Sequence, residues 1–106
     1  MSAAERRAPI FAALGDETRL RLVERLGAGE ALSITELTDG TGLTRQAVTK
    51  HLRVLHEVGL ARSAKRGRQQ VWELSPAKLR DARRFLETVS DRWDRVLEKL
   101  KKLAEE

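Results

Sequence analysis

Residues 33 to 58 constrain the fold more tightly than any other part of the chain. Ser33-Ile34-Thr35-Glu36 has the spacing of a capping box, in which the serine accepts from the third amide and the glutamate reaches back to the serine. It predicts a short helix to about Asp39 that buries Ile34 and Leu37. Gly40-Thr41-Gly42 then supplies a turn, with Leu43 as a buried staple and Thr44 as the cap of a second helix. That helix runs to about Val58, with Val48, Leu52 and Leu55 facing inward at spacings of four and three. Gly59 closes it, and Leu60 is the apolar contact beyond. Two capped helices across a glycine turn make a helix-turn-helix over residues 33–58.

The flanks fit one small domain, residues 1–106, built around this unit. Upstream, residues 4–14 read as a helix with Ile10, Phe11 and Leu14 on one side, started or kinked by Pro9. Asp16 caps a second helix, Glu17 to Leu26, with Leu20, Leu22, Val23 and Leu26 as its apolar stripe. Arg19, Arg21 and Arg25 read as its solvated side, balanced by Glu17 and Glu24. Downstream, residues 60–74 read as a hairpin, with strands Leu60 to Ala64 and Gln69 to Leu74 around Lys65-Arg66-Gly67-Arg68. Trp72 and Leu74 alternate toward the core. A hairpin with a basic tip behind such a helix is a wing. The fold class expected is mainly α with a small β-hairpin wing.

Ser75-Pro76 is expected to cap a last helix that reads over residues 76–104. Leu79, Ala82, Leu86, Val89, Trp93, Val96, Leu100 and Leu103 recur at alternating spacings of three and four, a heptad seam widened by Phe85 and Leu97. The remaining body is too small to cover so long an apolar side. The expectation is a homodimer, with the N-terminal helix packed alongside. Ile10, Phe11, Leu79, Leu86, Val89, Trp93, Val96 and Leu100 are its expected interface.

Charge names the other partner. The chain carries a net +5, yet residues 44–68 hold seven Lys or Arg against Glu57 alone, a net +6. Like charges crowded on one surface repel, whereas a polyanion gains from them by releasing counterions. Thr44, Arg45, Gln46, Thr49, Lys50 and Arg53 lie on the outer side of the second helix, and most fall in its first two turns, the part that meets base edges. Arg suits guanine and Gln suits adenine, while Thr bonds a base or touches a thymine methyl. Lys65, Arg66 and Arg68 would hold phosphates from the wing. Double-stranded DNA is the expected partner, because the narrow A-form RNA groove fits such a helix poorly.

Several classes fall away. With no cysteine there is no thiolate metal site, disulfide or thiol nucleophile. His51 and His56 are five apart and share no helix face well. No glycine loop cradles phosphate and no nucleophile has a base, so no enzyme and no cofactor are expected. No apolar run approaches about 18 residues, so no membrane span is expected and a cytoplasmic location follows.

Taken together, the chain resembles the ArsR family of winged helix-turn-helix regulators over residues 8 to 104. The resemblance is carried by Leu14-Gly15-Asp16-Glu17-Thr18-Arg19-Leu20, Ile34-Thr35-Glu36-Leu37, Val48-Thr49-Lys50-His51-Leu52-Arg53-Val54-Leu55, Glu57-Val58-Gly59-Leu60 and the Gly67-Arg68 wing. It implies a homodimer formed by the first and last helices, two recognition helices in successive major grooves, and repression of nearby genes. Metal-sensing members carry Cys-x-Cys where this chain has Ser33-Ile34-Thr35. Others bind metal between their last helices through Asp and His, but here the last helix has no histidine, and Asp91 and Asp94 read as solvated charge. The resemblance therefore implies a homodimeric repressor without a metal sensor. The alternatives are a repressor induced by an unknown small organic ligand at the dimer interface, or a protein–protein adaptor. An adaptor predicts a neutral or apolar recognition face, unlike the one seen here.

Overall fold

The computed structural model describes all 106 residues. Helices α1 (Ala3–Leu14), α2 (Glu17–Leu26), α3 (Ile34–Thr38) and α4 (Arg45–Glu57) precede strands β1 (Ala61–Arg66) and β2 (Gln69–Leu74) and the long helix α5 (Pro76–Glu105). The strands form one antiparallel hairpin. This is a winged helix-turn-helix.

Local chemistry sets most of the boundaries. Asp16, Ser33 and Thr44 each accept a backbone N–H three residues on, from Arg19, Glu36 and Ala47. At Ser33 both halves of the capping box form, so α3 is held at only five residues. At the end of α4, the Leu60 N–H bonds the Leu55 carbonyl at 3.0 Å and the Gly59 N–H bonds that of His56 at 2.9 Å. This double closure needs a left-handed residue, and Gly59 supplies it at φ +82°. The cap expected of Ser75 is not made: Ser75 stands at the N-cap position of α5 without a side-chain bond, and the fixed φ of Pro76 shapes that terminus.

The core gathers Ile10, Ala13, Leu22, Leu26, Leu37, Val48, Leu52, Leu55, Leu60, Ala61, Trp72 and Ala82, so every helix gives it at least one residue. A tertiary tie joins the wing to the helix-turn-helix: Leu32 and Trp72 exchange two backbone hydrogen bonds, at 2.9 and 2.7 Å. A radius of gyration of 17.7 Å, against about 13 Å for a compact domain of this length, reflects α5 projecting from the body.

Several sequence expectations change here. Of the two readings of Pro9, the helix start is set aside: α1 begins at Ala3 and Pro9 lies inside it. Leu20 is 45% exposed, because two residues along a helix turn it some 200° from Leu22. Leu43 is 37% exposed and lines an open groove with Thr18, Arg21 and Leu22, so it is no buried staple. β1 extends to Arg66, because the turn is only Gly67-Arg68. Gly67 has φ +65° and Arg68 does not share the positive φ, which is the tight hairpin turn that puts glycine first. In β2 the neighbours Val71 and Trp72 are both buried while Leu74 is only half-buried. Strict alternation fails there because Trp72 faces the core cluster and Val71 is sealed outside it.

Candidate nucleic-acid interface

Helix α4 has two unlike faces. Val48, Leu52 and Leu55 are wholly buried, which fixes the rotation of the helix about its axis. Arg45, Gln46, Lys50 and Arg53 are exposed on the other side, and none of their side chains is tied up in a hydrogen bond or ion pair within the chain. Thr44 is exposed and spends its hydroxyl oxygen on the Ala47 N–H at 3.1 Å. Half-buried Thr49 donates its own hydroxyl proton to the Arg45 carbonyl at 2.7 Å. The outward row is thus four free polar or cationic side chains with one threonine folded back among them.

The wing differs from its expected layout. Lys65 and Arg66 pair with Gln70 and Gln69 at the end of the ladder, and only Arg68 belongs to the turn. All three are exposed. Arg62 is a strand residue engaged with Glu73 at 2.9 Å, which removes it from the free basic set.

What aims α4 is a set of contacts that no local pattern announces. Arg19 donates to the Ala13 carbonyl at 2.6 Å and lies 3.4 Å from His51 Nδ1. His51 Nδ1 is in turn 3.8 Å from Asp16 Oδ2. The Leu14-to-Leu20 segment is therefore a clamp that joins α1, α2 and α4. Arg25 reaches the Leu37 and Asp39 carbonyls at 3.0 and 3.3 Å, closing the free end of α3. Of the three arginines expected on the solvated side, Arg21 and Arg25 are exposed, Arg21 paired with Glu17 at 2.6 Å, while Arg19 is half-buried. The cap carboxylates are shifted accordingly. The Arg19 backbone N–H holds the Asp16 carboxyl below its usual range, and the Ser33 backbone N–H does the same for Glu36.

The expected dimer residues divide. Ile10 is 4% exposed inside the protomer core and has no surface to offer a partner, because the i, i+3 pair Ile10 and Ala13 faces the body. Phe11, Leu79 and Val89 are half-buried. Leu86, Trp93, Val96 and Leu100 are 53 to 67% exposed, as are Leu97 and Leu103. The α1–α5 junction is held by Arg7, which bonds Asp81 at 2.7 Å and lies over the Phe85 ring, and by Phe11 packed on Phe85. No group of three or more His, Cys, Asp or Glu side chains is placed to hold a metal ion, and no helix is long and apolar enough to cross a membrane.

Known proteins share this arrangement. A family model described as a helix-turn-helix domain matches residues 14–64. An uncharacterised HTH-type transcriptional regulator of Bacillus subtilis, YuzN, is 40% identical over 68 residues, covering 58% of this chain and 74% of that protein. An ArsR-like transcriptional regulator from Rhodococcus sp. RHA1 superposes with a TM-score of 0.74 at 37% identity, over 94% of this chain and 93% of its own. The homodimeric winged helix-turn-helix DNA-binding domain Mb0332 of Mycobacterium bovis superposes with a TM-score of 0.66 at 20% identity, over 82% and 80%, a likeness of fold. Motif order, fold and relatives agree: the chain belongs to the ArsR family of winged helix-turn-helix transcriptional regulators.

Proposed function

We infer that the chain is a homodimeric, sequence-specific repressor that binds double-stranded DNA and needs no metal. One observation carries the reading of DNA. Arg45, Gln46, Lys50 and Arg53 stand free on a helix whose opposite face is sealed in the core. Such a helix can enter a major groove only with that row forward. Arg45 and Gln46, in its first turn, contact base edges, and Lys50 and Arg53 follow along the groove. Thr44 sits at the helix start nearest the backbone. Lys65, Arg66 and Arg68 need only charge to hold phosphates. In this division α4 reads and the wing holds.

Dimerisation is supported by the exposed apolar row of α5 and by the description of the Mycobacterium bovis domain as homodimeric. Phe11, Leu79, Leu86, Val89, Trp93, Val96 and Leu100 form the interface, without Ile10. Residues 1–106 act as one unit, with 33–58 and 60–74 facing DNA and 4–14 and 76–104 facing the second copy. A dimer seated on a promoter represses by occupancy, and its place of work is the cytoplasm, where its DNA is. Metal independence is supported by the residue types present: the chain has no cysteine, Ser33 and Thr35 stand at the start of α3, and α5 carries no histidine. Switching by a small organic ligand is the second reading. A groove of about 440 Å³ favours it, lined at the α1–α5 junction by Arg7, Arg84, Phe85, Thr88, Val89 and Arg92.

Selection of duplexes from a random library, followed by binding across a salt series, tests the division. Arg45→Ala or Gln46→Ala should cost about 1–3 kcal/mol on the selected site and relax preference at particular base pairs. Removing Lys65, Arg66 or Arg68 should weaken all sequences alike and lower the salt slope by about one per lost contact. Wing variants that change base preference at an unchanged salt slope would overturn it.

A further inference from the structure

Thr49 stands in the middle of the outward row, and its hydroxyl is already spoken for. With the proton donated to the Arg45 carbonyl at 2.7 Å, the side chain has no hydrogen left to give a base. Its two remaining assets are the oxygen lone pairs and the γ-methyl on the other branch. Beside it is Ile34, the first residue of α3, which is half-buried. Ile34, Arg45, Gln46, Thr49 and Arg53 line one shallow recess of about 380 Å³. Arg45 and Arg53 are each four residues from Thr49, about 6 Å along the axis. Ile34 is the one hydrophobic residue of this lining, and with the Thr49 methyl it makes a small apolar spot flanked by the polar side chains of Arg45, Gln46 and Arg53.

The four bases answer such a spot differently. Guanine offers two acceptors, which Thr49 has no proton to meet, so a guanine there is met only by the flanking Arg45, Gln46 or Arg53 and not by the Ile34–Thr49 spot. Adenine and cytosine offer amino groups, but seating one against Ile34 removes water from it and returns at most one bond. Thymine alone presents a methyl in the major groove, and a methyl against Ile34 and the Thr49 methyl loses nothing polar. We propose that the Ile34–Thr49 recess reads one thymine methyl in each half-site, with Thr49 acting by shape and not as a hydrogen-bond donor. This deepens, and rests on, the assignment of α4 as the reading helix. It also brings in Ile34, which the sequence places only in the core.

The test uses the intact protein and the duplex selected from a random library. Each thymine is replaced in turn by deoxyuridine, which removes only the methyl. Binding is measured for the wild type, Thr49→Ser, Thr49→Val and Ile34→Ala, with thermal unfolding confirming that each variant is folded. In the wild type, one thymine per half-site should lose about fourfold in affinity on demethylation, the worth of one buried methyl. That loss should shrink to under about 1.5-fold in Thr49→Ser and Ile34→Ala. Thr49→Val keeps the shape without the hydroxyl, so it should retain the full fourfold loss. If every deoxyuridine is neutral, or the loss is unchanged in Thr49→Ser and Ile34→Ala, the recess does not read a methyl although α4 still reads DNA. If Thr49→Val abolishes the preference, the hydroxyl was the reader and the proposal fails. If no duplex is selected at all, the assignment of α4 falls with it.

Discussion

In the helix-turn-helix body, Val48, Leu52 and Leu55 of α4 expose nothing, and the helix is capped at its start and closed by two backbone bonds at its end. In α5 beyond Ser90 no residue is buried, although the apolar residues recur just as regularly. The two regions carry equally clear periodic patterns, and only one of them is satisfied within the protomer. Hydrophobic periodicity therefore says that a face must be covered and not by what. Tertiary closure supplies the cover in the body. In the outer half of α5, Trp93, Val96, Leu97, Leu100 and Leu103 form a stripe that the body does not reach.

The largest expected effect comes from separating the regions. Deleting residues 91–106 removes no buried side chain, because Ala82 is the one buried residue of α5. The shortened chain should stay folded, sediment as a monomer and keep its affinity for a single half-site. On a duplex with two half-sites it should lose about 10²–10⁴-fold, the gain from tethering two heads. A shortened chain that still sediments as a dimer would place the interface in the body.

Leu52→Ala attacks the other side of the comparison. Emptying a fully buried leucine should cost about 2–5 kcal/mol by urea unfolding, equally in the intact and shortened chains. A cost that appears only in the intact chain would mean that the body borrows its stability from α5.

How far these features could be read from the sequence follows the same division. Ser33 with Glu36, Thr44, Asp16 and Gly59 act through neighbours three to five residues away, so their roles were visible in the order of residues. So was the α4 stripe. Arg19 and Arg25, read as surface charge, in fact bond carbonyls of other segments, and such partners are set by how helices cross. Ile10 and the α5 seam share the same periodic logic, and only packing decides that the first points into the protomer. Lys65 and Arg66 shifted from turn to strand because a two-residue turn lets the ladder run on. The candidate reading row came through because burial of Val48, Leu52 and Leu55 leaves one side of α4 to face outward.

The smallest effect concerns acid. The Asp16 and Glu36 carboxyls are held below their ordinary range because backbone N–H groups bond the ionised carboxylates. A carboxyl depressed by folding adds stability that is fully present above its unfolded pKa and is lost as pH falls through the folded value. Asp16→Asn keeps a cap while removing that titration. Its melting temperature should therefore fall less than that of the wild type between pH 6 and pH 3. An unchanged acid slope would mean that Asp16 contributes no pH dependence.

The two tryptophans allow the most direct measurement, because Trp72 is 6% exposed in the body and Trp93 is 67% exposed on α5. In a Trp72→Phe chain, Trp93 reports alone, and its emission can be followed on dilution without DNA. If the α5 stripe is the surface where two copies meet, the emission is blue-shifted at high concentration and moves to the red of a solvated indole as the dimer dissociates, over the range in which sedimentation reports the monomer. Emission that is red at every concentration, in a chain that nevertheless sediments as a dimer, would contradict the account.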